Sequence, residues 1–318
     1  MKTENLAGIG ILVIVLFTGG NQVGAQTLFP VGTLANSVDL TQAQGAQTVA
    51  EGYAIPLMGA PPGWLTDALL SKVLAAKGRP LAAPIDAPLP SQIGIRPGGW
   101  MISPNGCTMN FIFQNQQGNL AIGTAGHCCN QVGESVVLLT LPPGGGAPVL
   151  LDIGTVVFDR NAGIGEDFAL VQIRPELYSW VSPTIALIGG PCGAYTGPGP
   201  ELVFHYGHGL IIGTGGTPRA GAALKWTQNA FGWDGPAIFG DSGSPVRVTD
   251  YKAAGNLTHL VVDPNWLPSF IAGTRITHML EMAPGWRLMN SPLCTSPLPI
   301  IPSAGVKLQD IAPLKALP

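Results

Sequence analysis

Ser242 stands in the run Gly240-Asp241-Ser242-Gly243-Ser244-Pro245. A hydroxyl is a weak nucleophile until a base takes its proton, and glycines around it let the backbone turn tightly so that a carbonyl can come close. On such a turn the N–H groups of Gly240 and Ser242 can converge on one point, where a developing oxyanion would be held. Two upstream stretches supply the other types this chemistry needs. Thr124-Ala125-Gly126-His127-Cys128 brings an imidazole, and Asp167-Phe168-Ala169-Leu170-Val171 brings a carboxylate at the head of an apolar run. A base, an acid that orients it and a hydroxyl are the parts of acyl transfer through a covalent intermediate. Gly-Asp-Ser-Gly alone also makes an ordinary surface turn, so the weight rests on all three pieces in the order His, Asp, Ser.

Positioning three such side chains takes a rigid scaffold, and the composition says which kind. The 44 glycines and 30 prolines are too many for a helical protein and fit turn-rich β structure. Short strand candidates recur at 108–114, 120–123, 135–141, 148–158 and 167–173, then at 202–206, 209–213, 222–227, 244–249, 257–262 and 270–276. Turn clusters such as Pro142-Pro143-Gly144-Gly145-Gly146 separate them, which predicts a barrel or sandwich rather than βαβ units. Residues 276–282 are apolar at helical spacing and predict a short terminal helix. Residues 26–92 differ: they lack cysteine and carry one convincing helix, with Thr66 or Asp67 as cap, Leu65, Leu69, Leu70, Val73 and Leu74 on one face, and Gly78 as the stop. This segment reads either as a pro-region or as an N-terminal extension wrapped on the barrel, joined to the rest by a Pro-rich linker. A Pro-rich tail, 295–318, is expected to be extended and exposed.

With 15 basic and 18 acidic residues the net charge is −3, which provides no basic field for nucleic acid, while the 46% hydrophobic fraction can supply a core. Lys2, the apolar run from Leu6 to Phe17 and the small residues Val23-Gly24-Ala25 predict a signal peptide over 1–25 and hence an exported protein. That run is shorter than the ~20 apolar residues of a membrane-spanning helix. Export permits disulfides. Cys107 with Cys128 and Cys192 with Cys294 are the plausible pairs, leaving Cys129 over, although the spacing does not fix the pairing. Closing the first loop would stabilise the fold by roughly 3 kcal/mol.

The three motifs together resemble the chymotrypsin (trypsin-like) serine proteases, nearer to their secreted bacterial branch than to the digestive enzymes. The resemblance spans residues 100–290 and rests on Thr124–Cys128 with Cys107 upstream, Asp167-Phe168-Ala169-Leu170, and Gly240–Pro245. It implies an all-β fold of two antiparallel six-stranded barrels over 93–294, preceded here by the extension with its one helix. It also implies a monomeric serine endopeptidase acting on protein or peptide substrates, without cofactor, metal or stable membrane insertion. His127 would be the general base, Asp167 the orienting carboxylate, Ser242 the nucleophile, and the Gly240 and Ser242 amides the oxyanion hole. Cys107–Cys128 would clamp the histidine loop. Asp241 would be buried and so would need a cationic partner. Ile93-Gly94-Ile95 is a poor match for the new amino terminus that trypsin-like relatives use, which leaves an arginine: Arg219, Arg247 or Arg275. Thr258 aligns with the family's small hydroxyl that hydrogen-bonds the triad aspartate.

Other residues have plainer readings. Pro236 stands where trypsin-like enzymes carry the aspartate that selects Lys or Arg, and the strand around 257–260 suggests an apolar or restricted pocket. Asp159 is a rival acid that lacks the apolar run burying Asp167. His205-x-x-His208 sits in a strand-like setting that turns the two rings to opposite faces, so a metal there is disfavoured. His259 and His278 read as core or surface histidines, Glu166 as a solvent-facing neighbour of Asp167, and the Asn256-Leu257-Thr258 sequon as unused if buried. Two further functional classes fit the same residues: a catalytically silent secreted binding module, and an esterase using the same triad.

Overall fold

Short apolar runs punctuated by glycine and proline fold into two curled sheets in a computed structural model that describes residues 45–209, 216–265 and 267–295. The expected signal peptide, the tail beyond 295 and most of the strand expected at 209–213 lie outside the described residues.

A hairpin of β1 (Gln47–Val49) and β2 (Gly52–Pro56) comes first, then α1 (Asp67–Ala76) and β3 (Leu81–Ala82). The first barrel is built from β4 (Trp100–Ser103), β5 (Cys107–Thr108), β6 (Ile112–Asn115), β7 (Leu120–Thr124), β8 (Ser135–Thr140), β9 (Val149–Asn161) and β10 (Asp167–Ile173). The second contains β11 (Glu201–Gly207), β12 (Thr217–Trp226), β13 (Ala230–Asp234), β14 (Pro245–Val248), β15 (Ala253–Val262) and β16 (Pro268–Arg275). Helix α2 (Ile276–Met282) and β17 (Trp286–Leu288) then return the chain to the first barrel, where β17 pairs with β6.

All ladders are antiparallel. In the second barrel the order is β15-β14-β11-β12-β13-β16, and β16 pairs back onto β15, closing six strands. In the first, the 107–115 run pairs with β4 at its start and with β7 at its end, so one stretch of chain closes the circuit. That change of partner explains why the single strand expected at 108–114 is interrupted: at the crossover the Asn110 side-chain oxygen accepts the Phe111 N–H at 2.8 Å. Each barrel has its own apolar interior, with Ile122, Leu138, Leu151 and Val171 in the first and Val203, Phe231, Val246 and Leu260 in the second. A third cluster, including Phe111, Phe168, Tyr206, Ile276 and Met279, packs α2 against strands of both halves. Barrel closure satisfies strand edges that would otherwise be open.

The helix forms where its pattern predicts. The Thr66 hydroxyl accepts the Leu69 N–H at 3.3 Å, Lys77 ends it in the left-handed region (φ 46°), and Gly78 follows at φ +83°. Its buried Val73 packs with Ile102, Val137, Leu139 and Leu150, so α1 is docked on the first barrel, and β3 adds to the edge of β9. The cysteines pair as Cys107–Cys128 and Cys192–Cys294, and Cys129 is a buried free thiol. Burial, and then the nearby Asp159, Glu134 and Asp167 carboxylates, push that thiol up, away from the reactive thiolate.

Candidate active site

His127 follows β7 in a single 3₁₀ turn, Gly126–Cys128, that is tied to β5 through the Cys107–Cys128 disulfide. Asp167 is the first residue of β10, and all of that strand except Gln172 is buried. Ser242 lies on the turn that leads into β14. The barrels thus contribute from facing edges, and the three side chains meet between them.

The Asp167 carboxylate receives His127 twice: Oδ1 accepts the backbone N–H at 3.1 Å and Oδ2 lies 2.6 Å from Nδ1. With Nδ1–H aimed at Asp167, Nε2 is left as an acceptor 2.6 Å from Ser242 Oγ. Burial by itself would raise the Asp167 carboxyl, but the charge and hydrogen bonds of His127, with His259 behind them, hold it below the usual carboxylate range. The β10 position is itself pinned from the second barrel. Thr274 Oγ1 accepts the Asp167 N–H at 3.3 Å and donates to the Asp167 carbonyl at 3.1 Å, and Asn256 Nδ2 donates to the same carbonyl at 3.1 Å. Neither residue stands out in the sequence, because both act on the backbone of Asp167 and no motif records that.

The turn that carries Ser242 is built on two glycines in the left-handed region, Gly240 at φ +98° and Gly243 at φ +87°. A side chain at Gly243 would put its Cβ 2.0 Å from the Thr108 carbonyl oxygen. First-barrel residue Thr108 holds the turn from the other side, its N–H donating to the Ser242 carbonyl at 2.8 Å and its hydroxyl to the Gly240 carbonyl at 2.9 Å. The Gly240 and Ser242 amides converge as the motif requires, donating at 2.7 and 3.2 Å to one oxygen, the carbonyl of Leu57.

Asp241 is fully buried and makes an ion pair with Arg219, one of the three arginines considered for it. Its carboxylate also accepts the Gly209 N–H at 2.9 Å and the Ile238 N–H at 2.8 Å, which locks the loop that carries Ser242. Arg247 and Arg275 point elsewhere, to the Ile188 carbonyl and to the Thr227 and Gly197 carbonyls.

Thr258 does not play the part its alignment implied. Its hydroxyl donates to the Ala272 carbonyl at 3.2 Å and sits 2.9 Å from His259 Nδ1, rather than bonding Asp167. What Thr258 offers the site is its backbone: the carbonyl accepts from the Leu57 N–H at 3.1 Å and lies 2.9 Å from Ser242 Oγ, whose single proton can go to it or to His127 Nε2. The neighbouring side chain faces the triad instead. His259, expected to be a plain core or surface histidine, puts Nδ1 3.6 Å from Asp167 Oδ2 and stacks edge-on against His127 with ring centroids 5.5 Å apart. Burial pushes its ring down to about 4, with Asp167 opposing and His127 reinforcing, so it stays neutral beside the carboxylate at neutral pH.

His127, Asp167 and His259 bring their ligand atoms within 4.8 Å of one another. The 2.6 Å between His127 Nδ1 and Asp167 Oδ2 is a hydrogen bond, and two ligands of one tetrahedral zinc would stand more than ~3 Å apart. It is Asp167 and not Asp159 that hydrogen-bonds His127: one Asp159 carboxylate oxygen is buried without a partner, and burial, Asp167 and Glu134 push the group up to about 6. His205 and His208 do not converge. The first lies 3.1 Å from the Pro236 carbonyl, the second stacks on Trp100 at 5.7 Å. Glu166 is tied to Arg160, Asn229 and His278, and the sequon residue Asn256 is buried and bonded.

No known protein family's profile matches the chain, and no curated protein does. Solved structures do. Thermobifida fusca Protease A is 20% identical, with 63% of this chain and 98% of that one covered and a TM-score of 0.42. A glutamic acid specific serine protease is 15% identical (61% and 100% covered, TM-score 0.45), and Nocardiopsis protease is 19% identical (62% and 97%, TM-score 0.40). At such identities the chemistry has to be argued from the geometry of the site itself.

Proposed function

We propose that the chain is a secreted serine endopeptidase. The observation that carries this reading is a continuous chain of hydrogen-bond contacts, Asp167 to His127 to Ser242, ending beside two amides that already converge on a carbonyl oxygen. In the proposed reaction Ser242 Oγ attacks the scissile carbonyl while His127 Nε2 takes its proton. The Gly240 and Ser242 amides hold the oxyanion, and His127 returns the proton to the leaving amine. Asp167 keeps Nδ1 protonated and stabilises the imidazolium. Water then repeats the sequence on the acyl ester. Two amides already preorganised on one point supply the electrostatic part of this catalysis, since they need no reorganisation as charge develops.

The test is hydrolysis of peptide and ester substrates by the processed protein and its Ser242→Ala variant. Cleavage of peptides by the first and not the second supports the reading. Turnover of esters alone would identify an esterase, and a folded, processed protein that turns over neither would be a binding module.

A further inference from the structure

The carbonyl in the oxyanion site belongs to the chain's own N-terminal segment. We propose that Leu57–Met58 is a substrate bond of this protein: the chain cuts itself there, and the segment ahead of the cut blocks the site until it leaves. The proposal rests on the serine-endopeptidase reading above and adds to it the bond, the direction of binding and the side-chain class accepted.

The contacts grip the bond from both sides. On the acyl side, β2 adds to the edge of β15 as an antiparallel strand, with Pro56 opposite His259, Ile55 opposite Leu260 and Ala54 opposite Val261. Leu57 continues that ladder, its N–H donating to the Thr258 carbonyl at 3.1 Å and its carbonyl accepting from Gly240 and Ser242 at 2.7 and 3.2 Å. On the leaving side, Gly59 and Gly106 exchange two backbone hydrogen bonds of 2.7 and 2.8 Å, and Met58 packs on the apolar interior of the first barrel. A backbone fixed two residues past the bond, with its carbonyl on the oxyanion donors, is held as a strand-adding peptide substrate would be.

The pocket is read from the same residue. Leu57 is fully buried in the apolar cluster of the second barrel, whose members include Ala237, Ile238, Phe239 and Leu260. A charged side chain in that place would be buried without a partner, so the site selects large apolar residues on the acyl side.

In the step itself, Ser242 Oγ bonds to the Leu57 carbonyl carbon, the C–N bond to Met58 breaks, and His127 delivers the serine proton to the Met58 nitrogen. Water then hydrolyses the Leu57 ester, leaving a carboxylate on Leu57 and a free serine. The new amino terminus at Met58 stays with the enzyme because α1 and β3 are docked on the first barrel. Ahead of the cut, the described residues are held by the β2 ladder and by the Ile55 and Leu57 side chains in the apolar cluster of the second barrel, and their departure opens the β15 edge to other peptides.

Mass spectrometry and N-terminal sequencing of the purified full chain test this, with Ser242→Ala and Leu57→Asp alongside and circular dichroism to show that each folds. The expected result is a wild-type chain beginning at Met58, a Ser242→Ala chain intact at that bond, and a Leu57→Asp chain cut at least about 100-fold more slowly. In Leu57→Asp the buried anchor is lost, so a fluorophosphonate probe should reach Ser242 even though the bond is intact. A wild-type chain left uncut while Leu57→Asp is labelled on Ser242 would overturn self-cleavage and leave the protease reading standing. A folded Leu57→Asp chain that takes no label, with the wild type uncut, would overturn both. Cleavage of Ser242→Ala at the same bond would assign the cut to another protease and overturn the proposal.

Discussion

The two barrels hold their shares of the site by different physical means. The first secures His127 covalently, through the Cys107–Cys128 bond that ties the 3₁₀ turn to β5. The second secures Ser242 electrostatically, through the buried Arg219–Asp241 pair and the two backbone amides that Asp241 also accepts. A disulfide acts mainly on the unfolded chain, so its loss lowers stability with little change in native geometry. A buried ion pair is different: removing one partner strands a charge in the interior. The half that carries Ser242 is therefore the more fragile of the two, and the more sensitive to acid.

That contrast can be broken or sharpened in steps. The largest effect belongs to chemistry rather than stability: Asp167→Asn should lower kcat about 10,000-fold, measured in the Leu57→Asp background whose site is open without cleavage, because the imidazole is then held in the wrong tautomer. Next comes Asp241→Ala, which leaves Arg219 buried and unpaired and should cost about 3–5 kcal/mol in urea unfolding. The double variant Cys107→Ser/Cys128→Ser should cost less, roughly 3 kcal/mol, and retain activity at temperatures where it stays folded. If the disulfide variant proved more damaging than Asp241→Ala, the ranking of the two halves would be reversed.

Acid should act on the second half. His205, His208 and His259 are buried there, and burial pushes them down to about 4, 3 and 4 from 6.5. Their folded values lie below the unfolded one, so the stability tied to their neutral forms is complete above pH 6.5. It is lost as pH falls from there toward 4, where the unfolded chain binds protons that the fold refuses. Unfolding free energies from urea titrations should decline over that window, by on the order of 1–2 kcal/mol at pH 5 for each histidine, and His259→Gln should flatten the decline. The smallest effect is expected at Cys129, whose buried thiol is neither bonded nor ionised. Cys129→Ala should shift stability by about 1 kcal/mol or less and leave activity unchanged.

Much of this site was legible from residue types. Ser242, His127 and Asp167 lie in short motifs whose glycines and apolar neighbours show their purpose, and Arg219 was among the partners considered for Asp241. What escaped depends on backbone and register. Leu57 follows Gly52-Tyr53-Ala54-Ile55-Pro56, a short strand between β1 and β15 with no alternation, and it reaches the site through main-chain hydrogen bonds that carry no sequence signature. His259 lies on β15, which is buried on both faces along its whole length, so the period-two pattern that would have aimed it at Asp167 is absent. The exchange of roles between Thr258 and His259 is a one-residue question of facing, and in a strand one residue turns a side chain to the other side. In the fold, β4 and β13 escaped for a similar reason: Trp100–Ser103 and Ala230–Asp234 are short and glycine-flanked or glycine-broken, and tertiary pairing rather than local propensity makes them strands.

The central claim is that Ser242 is a nucleophile activated by His127. Reacting Leu57→Asp, whose site is open without cleavage, and the double variant Leu57→Asp/His127→Ala with a fluorophosphonate probe, and mapping the modified peptide, tests it most directly. The account predicts a single adduct on Ser242 that forms rapidly in Leu57→Asp and is nearly abolished in the double variant. An adduct on another residue, or equal labelling of Ser242 with and without His127, would contradict it.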